Sequence, residues 1–492
     1  MEIDKVSNRA ESFFNEIAEE YYLSSSGLKE ESNLSDIYEK YKDLSSKELI
    51  DNLLSLKSGE TFDRRQAQLL EFLFSLYQGY ITRKISDKLL SLEASSTITI
   101  ASEKVPYRRA TVLIKNSPDR EKRKIIQEEV DKIVERDNPL RVESIESVHN
   151  VAAEFGYENY SSMISDTSGI DLDAFHVSCE KLLSTTEEMF VDVSSWAFKK
   201  YLNLDLEKAQ TYDSLYLFRM NEYDEFFPAN ELLEKVRKCI SSMNLDMEAG
   251  GNIKIDTENR PAKSPRAFCA PISVPDKIML VIMPQGGLLD YQSFLHELGH
   301  AMHYAHVDPS MPMEHRYLGD NSVTEGFAML FDHLTLNTKW LKKVAGMEDQ
   351  HNYLIMSNLL DLYMLRRYSA KFIYERELHG GSLLSDMPDA YASMLTEATK
   401  IAYQPLNYLN DVDGEFYCAR YLRAWMLQSL INMYLTEECG DDWFLNPESG
   451  DKLRELWKYG QKLNAEEICK LISVADMNFD NLTKSIEDVF NG

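Results

Sequence analysis

Glycine and proline are scarce in this chain of 492 residues, numbering 20 and 14. That scarcity argues against an architecture of many short strands and tight turns and favours long helices. Cysteine is also rare. The six positions, Cys179, Cys239, Cys269, Cys418, Cys439 and Cys469, lie far apart and form no C-x-x-C pair. Neither a disulfide framework nor a thiolate zinc site is indicated, and each cysteine reads as a reduced, buried small hydrophobe. Basic residues are outnumbered, 53 Lys and Arg against 81 Asp and Glu, for a formal charge of −28. Such a balance repels a phosphate backbone, so nucleic acid is set aside as a partner. The acidity reads first as a solvated surface that maintains solubility; a negative channel drawing in basic peptides is the other reading. No stretch approaches the apolar length of a membrane span, and MEIDKVSNRAESFFNEIAEEYY lacks the apolar core of a signal peptide. The expectation is a cytoplasmic protein without a membrane partner, with a monomer favoured.

What is present is a globular composition, 44% hydrophobic with 27 Tyr and 21 Phe. The length suffices for two or three domains or for one large helical body divided into lobes. To about residue 205 apolar residues recur at three and four, the helical spacing. Ser45-Ser46-Lys47-Glu48 offers a capping box ahead of Leu49 and Ile50, with Gly59 as a stop. Ser117-Pro118 opens a second helix with Pro at its first position. The only clear sheet signal lies between Gly250 and Pro284, where Asn252–Thr257, Arg266–Ile272 and Lys277–Met283 are strand-like. The last is apolar on both faces and reads as buried; Arg266–Ile272, bracketed by Pro265 and Pro271, reads as an edge strand. Helical pattern then resumes near 291–306, 321–338, 352–376 and 414–438. The change of texture places a boundary near 205, giving a helical region 1–205 and a second region 206–492.

The chemistry is concentrated in His296-Glu297-Leu298-Gly299-His300, which follows the buried strand and the turn Gln285-Gly286-Gly287, with Asp290 placed as helix N-cap. On a helix the i, i+4 spacing stacks His296 and His300 on one face, where both imidazoles reach one tetrahedral ion. Glu297 is rotated away from ligation and towards a metal-bound water, whose proton it can take and pass to a leaving amine. Two residues compete for the third ligand position. His306 has the metzincin spacing, but His303 stands where that turn needs glycine. Glu325, twenty-five residues after His300, is favoured because two histidines and a water leave one place for a carboxylate. Its structural alternative is the end of a capping box, Ser322-Val323-Thr324-Glu325. Asp332, seven residues on, shares its helical face and can accept the outer N–H of a ligand histidine, or is only a surface carboxylate. Gly299 and Gly326 are expected to let the two helices cross closely.

These residues resemble the thimet oligopeptidase and oligoendopeptidase F family of gluzincin metallopeptidases. The likeness rests on His296-Glu297-Leu298-Gly299-His300-Ala301-Met302-His303, the gap to Glu325 and the acid at 332. It extends to Arg266-Ala267-Phe268-Cys269 and to Glu415-Phe416-Tyr417-Cys418-Ala419-Arg420-Tyr421, covering roughly 205–440. The resemblance implies a mainly α, zincin-like fold: an elongated two-lobed body with a small sheet beside a deep active-site channel that admits short peptides. It implies one Zn2+ on His296, His300 and Glu325, with Glu297 as base. It also implies that Tyr417 and Tyr421 hydrogen-bond the substrate and the tetrahedral intermediate; their other reading is an aromatic i, i+4 packing pair. The chain departs from the pattern where Arg423, Ala424 and Trp425 stand in place of the family's further tyrosine and histidine. The expected function is hydrolysis of short peptides by zinc-activated water, the peptide lying along the strand 266–272. Arg420 or Arg423 binding a terminal carboxylate would instead make a carboxypeptidase or dipeptidyl carboxypeptidase. A peptide-binding relative without turnover and a hydrolase of non-peptide amides are the remaining alternatives.

Overall fold

Helix dominates the computed structural model, which describes residues 3–29, 32–56, 63–474 and 476–492. The longest helices are Arg64–Ser95, Arg120–Glu154 and His351–His379. No described helix is long and apolar enough to cross a membrane. Caps fall close to, but not on, the expected residues. The helix Lys47–Leu54 is capped by Ser46, whose hydroxyl accepts from Leu49 N–H at 3.3 Å, so the expected box from Ser45 is displaced by one residue. Gly59 lies outside the described residues. Pro118 is not the first helical residue: Asp119 accepts from the N–H groups of Glu121 and Lys122, and the helix starts at Arg120. A carboxylate that satisfies two otherwise unpaired amides outweighs the fixed φ that proline supplies.

The chain divides into two compact units, each drawn from three stretches on both sides of residue 205. One comprises Gln78–Met220, Asn352–Leu422 and Thr483–Gly492. It contains a two-stranded antiparallel hairpin, β1 (Thr97–Ile100) and β2 (Glu103–Pro106), which the sequence reading missed. Only Ile98 of the hairpin is fully buried, against Ala110, Ile114 and Ile126. Four-residue strands with one core side chain are too short to display a period of two.

The other unit comprises Met1–Tyr77, Asn221–His351 and Arg423–Leu482. Its sheet has the expected three strands, β3 (Ile253–Asp256), β4 (Phe268–Ser273) and β5 (Lys277–Val281), in the order β3-β5-β4. β5 is central, parallel to β3 and antiparallel to β4. Along β4, Phe268, Ala270 and Ile272 are buried and alternate with half-buried Cys269, Pro271 and Ser273. A one-residue slip would exchange the two sets, so burial fixes the register. Ala18 and Tyr22, from the helix Ile3–Ser25, cover the face made by Phe268, Ala270, Ile272, Met279 and Val281. The helix Leu288–Ala305, which carries the histidine motif, also packs against β4 and β5. The sheet therefore acts as a platform for the motif helix.

Candidate metal centre

The motif helix begins where glycine alone fits. Gly287, its N-cap, has φ +96°, and a Cβ there would lie 2.6 Å from Asp224 Oδ1, which accepts from Leu288 N–H at 3.1 Å. Asp290 is not the N-cap. It stands at the third helical position and reaches back to accept from Gln285 N–H and, at 2.6 Å, from Gly286 N–H. Tyr291, Phe294, Leu295, Leu298 and Met302 bury the sides of this helix, which leaves His296, Glu297 and His300 half-buried on the remaining one.

A second helix, Asn321–Asp332, is capped by Asp320, which accepts from Ser322 N–H at 3.0 Å. Ser322 is thus inside the helix, and Glu325 is an interior residue, 9% exposed, rather than part of a cap. Arg423 anchors this start: its Nη2 lies 2.7 Å from Asp320 Oδ2, its Nε 3.3 Å from Ser322 Oγ, and its Nη1 pairs with Glu466. Arg423 is therefore neither a solvated surface residue nor a free anion receptor. The two helices cross at Gly299, where a Cβ would fall 2.6 Å from Ala328 Cα and 2.7 Å from Phe327 O. Gly326 does not share in that crossing; it faces Leu427.

The crossing brings three donors together. His296 Nε2 lies 3.3 Å from Glu325 Oε2, His300 Nε2 lies 3.7 Å from Glu325 Oε1, and the donor atoms of all three residues fall within 4.8 Å of one another. A tetrahedral zinc with bonds near 2.0–2.1 Å sets its ligand atoms ~3.3–3.4 Å apart. The shorter separation matches that spacing and the longer exceeds it by a few tenths of an ångström, so the three residues could hold a metal ion. The outer nitrogens support this orientation, since His296 Nδ1 is 2.8 Å from Asp332 Oδ2 and His300 Nδ1 is 2.8 Å from Thr324 Oγ1. Asp332 is accordingly placed as the sequence suggested. Thr324 was not singled out there, and neither was His333, whose Nδ1 meets Asp332 Oδ1. His306 takes no part: it is the C-cap of the motif helix, with Nδ1 2.7 Å from Met302 O and its ring against Trp457. His303 is buried, its Nε2 3.2 Å from Gly460 O.

Charge is distributed unevenly over this cluster. Burial works against a charged His296, yet Asp332 and Glu325 outweigh it and hold its pKa well above the usual value. Burial pushes His300 down to about 4. It pushes Glu297 up to about 7, a rise opposed by His296 and by the N–H of Cys269, which donates to Glu297 Oε2 at 2.8 Å. Asp332 stays below the ordinary carboxylate range despite its burial, because the charge on His296 and the hydrogen bonds from His296 and His333 favour its ionised form. In the antiparallel ladder with β5, alternate residues of β4 face outward, and the Cys269 N–H that meets Glu297 marks Cys269 and Pro271 as the outward pair. With that N–H engaged and Pro271 lacking one, the outer edge of β4 presents carbonyl acceptors more than donors.

Tyr417 and Tyr421 lie in the other unit, half-buried and one turn apart, with ring centroids 6.0 Å apart and nearly parallel. Tyr421 also packs against Tyr368 at 5.4 Å. Arg420 is buried in the same unit. A second group of potential donors among the described residues is Glu375, Asp413 and Cys418, also in that unit. There Lys371 Nζ already lies 2.7 Å from Asp413 Oδ2 and 3.8 Å from Glu375 Oε1, while burial raises the Cys418 thiol far above its usual pKa. An ammonium fills the role of the cation and the thiol keeps its proton, so this group is an internal ion-pair knot and a poor metal site. No family model and no curated protein matches the chain. The functional reading therefore stands on the donor set of His296, His300 and Glu325 and on its motif.

Proposed function

We propose that this chain is a zinc-dependent metallopeptidase that hydrolyses short peptides, with His296, His300 and Glu325 as ligands and Glu297 as proton carrier. One observation carries the proposal: the donor atoms of His296, His300 and Glu325 converge within 4.8 Å of one another, beside the half-buried carboxylate of Glu297, which is not one of them. A bound zinc would polarise the scissile carbonyl and lower the pKa of a water towards ~7. Glu297 takes the proton at Oε1, since Oε2 is engaged by Cys269 N–H, and returns it to the leaving amine. No covalent enzyme intermediate is needed. The peptide lies beside β4, its N–H groups meeting the outward carbonyls of Cys269 and Pro271. The zincin-like, two-lobed body with a deep channel and the roles of Tyr417 and Tyr421 belong to the same proposal and rest on the resemblance; the cytoplasmic location belongs to it as well and rests on composition. A carboxypeptidase that uses Arg423 is disfavoured by the engagement of that guanidinium with Asp320 and Glu466.

The test is digestion of a random peptide library by the zinc-loaded chain, followed by sequencing of the products. Internal cleavage of short peptides is the expected result; absence of cleavage with zinc bound would leave the peptide-binding alternative. Zinc content then separates the ligand sets. Glu325→Ala should lose the metal on dialysis against a weak chelator and His306→Ala should keep it; the reverse pattern would sink the assignment.

A further inference from the structure

Behind the ligand His296 runs a polar line that the proposed chemistry does not use. Asp332 Oδ2 meets His296 Nδ1 at 2.8 Å, Asp332 Oδ1 meets His333 Nδ1, and Trp425 Nε1 lies 3.1 Å from His333 Nε2. Chemistry at the far end fixes the direction of every bond. An indole N–H can only donate. His333 Nε2 therefore accepts, and its ring, being neutral, carries its single proton on Nδ1. That proton is donated to Asp332 Oδ1. Asp332 then receives from both sides as a carboxylate, His296 Nδ1 donates to Oδ2, and Nε2 is the nitrogen of His296 turned towards Glu325. The partner of His300 has no such polarity, because the hydroxyl of Thr324 can donate or accept.

We propose that Trp425 is a positioning residue for the metal centre: its indole N–H, acting through His333 and Asp332, holds His296 in the tautomer that presents Nε2 to the ion. The inference rests on the metal-centre reading above. Trp425 is 5% exposed, so a role in packing alone has to be distinguished.

Three measurements do so on the full chain. In imidazole 1H–15N spectra of 15N-histidine-labelled protein, His333 should be the neutral Nδ1–H tautomer with and without zinc, and His296 should be Nδ1–H when zinc is bound. Trp425→Phe retains an aromatic ring and deletes the N–H. It should scramble the His333 tautomer and weaken zinc binding about tenfold in chelator competition, the lower end of what outer partners of ligand histidines contribute. His333→Leu should weaken binding at least as much. His333→Gln should bind zinc nearly as well as the unaltered chain, because its amide oxygen accepts from Trp425 while its N–H donates to Asp332. A purely structural role would lower the melting temperature of Trp425→Phe without moving the histidine spectra. That result, an Nε2–H tautomer of His333 in the unaltered chain, or unchanged zinc affinity in both Trp425→Phe and His333→Leu would overturn the proposal alone. An unaltered chain that binds no zinc would sink the metal-centre reading, and this proposal with it.

Discussion

Glu297 stands next to a ligand in sequence yet is tied to the β4 backbone, with Cys269 N–H on its Oε2 at 2.8 Å, and it is not one of the clustered donors. Glu297→Gln should therefore keep about one zinc per chain while turnover falls by 10² or more; loss of zinc from the folded variant would count against the role. Metal uptake should itself depend on pH. Asp332 and Glu325 hold His296 protonated in the metal-free chain, whereas His300, lowered to about 4, is already neutral. Zinc needs the lone pair of His296 Nε2, so binding expels that proton, and apparent affinity should fall roughly tenfold per pH unit below the raised pKa of His296. Glu297, near 7, adds to the release below neutrality, because a nearby dication favours its ionised form. Titration calorimetry in two buffers of different ionisation enthalpy should show protons released on zinc uptake, more at pH 6 than at pH 7.5; pH-independent uptake would contradict this. At this scale the sequence revealed whatever helical periodicity places: His296 and His300 at i, i+4, and Asp332 two turns beyond Glu325 on the same face. Thr324 and Trp425 were hidden because their partners, His300 and His333, come from other helices, and His333 because its link to Trp425 does; no local pattern records a tertiary hydrogen bond.

The ligand set exists only because two helices approach within the width of a missing side chain. At Gly299 the atoms that a Cβ would meet are backbone, Ala328 Cα at 2.6 Å and Phe327 O at 2.7 Å, and backbone cannot rotate away. Gly299→Ala gains about 1 kcal/mol of helix propensity but forces the helices apart at a cost of about 1–3 kcal/mol or more, so the net effect should be destabilising. Zinc affinity should drop with it, since Glu325 is carried away from both histidines. Gly326→Ala should be milder, its neighbour being the flexible side chain of Leu427. Thermal unfolding of the metal-free variants, with zinc titrations alongside, checks both; a Gly299→Ala chain as stable and as tight for zinc as its parent would refute the crossing argument. The elements themselves were legible in proportion to their length and burial. The apolar run of β5 and the prolines Pro265 and Pro271 gave centre and edge correctly, whereas β1 and β2 were too short to show. Caps slipped by one or more residues, as at Asp119 and Gly287, because several side chains near a helix start can satisfy the same amides and packing selects among them.

At the scale of the whole chain, composition announced helix, and the assembly stayed hidden. A boundary near 205 divides the sequence once, whereas each compact unit gathers three stretches. Texture reports local pattern and is silent on which distant stretches pack together. The proposed activity makes one demand at this scale. Hydrolysis needs an extended backbone beside β4 with its scissile carbonyl at the shared centre of His296, His300 and Glu325, and a residue of extended chain spans 3.3–3.4 Å. In the channel that the resemblance implies, selection is then by access and not by sequence. Peptides of roughly five to twenty residues should be cut, and longer chains should be spared even when unfolded, because each added residue must thread the same confined path. The measurement is kcat/KM for a nested series of peptides sharing one cleaved bond, with casein as the unfolded protein. Rates that hold or rise with length, or efficient casein digestion, would remove the channel from the proposal while leaving the zinc chemistry intact. A sharp fall beyond a fixed length would support it. The charge of −28 supplies an internal control, since attraction of basic peptides to an acidic surface weakens with ionic strength. A length limit that survives 1 M salt is steric, and one that disappears there reflects charge alone.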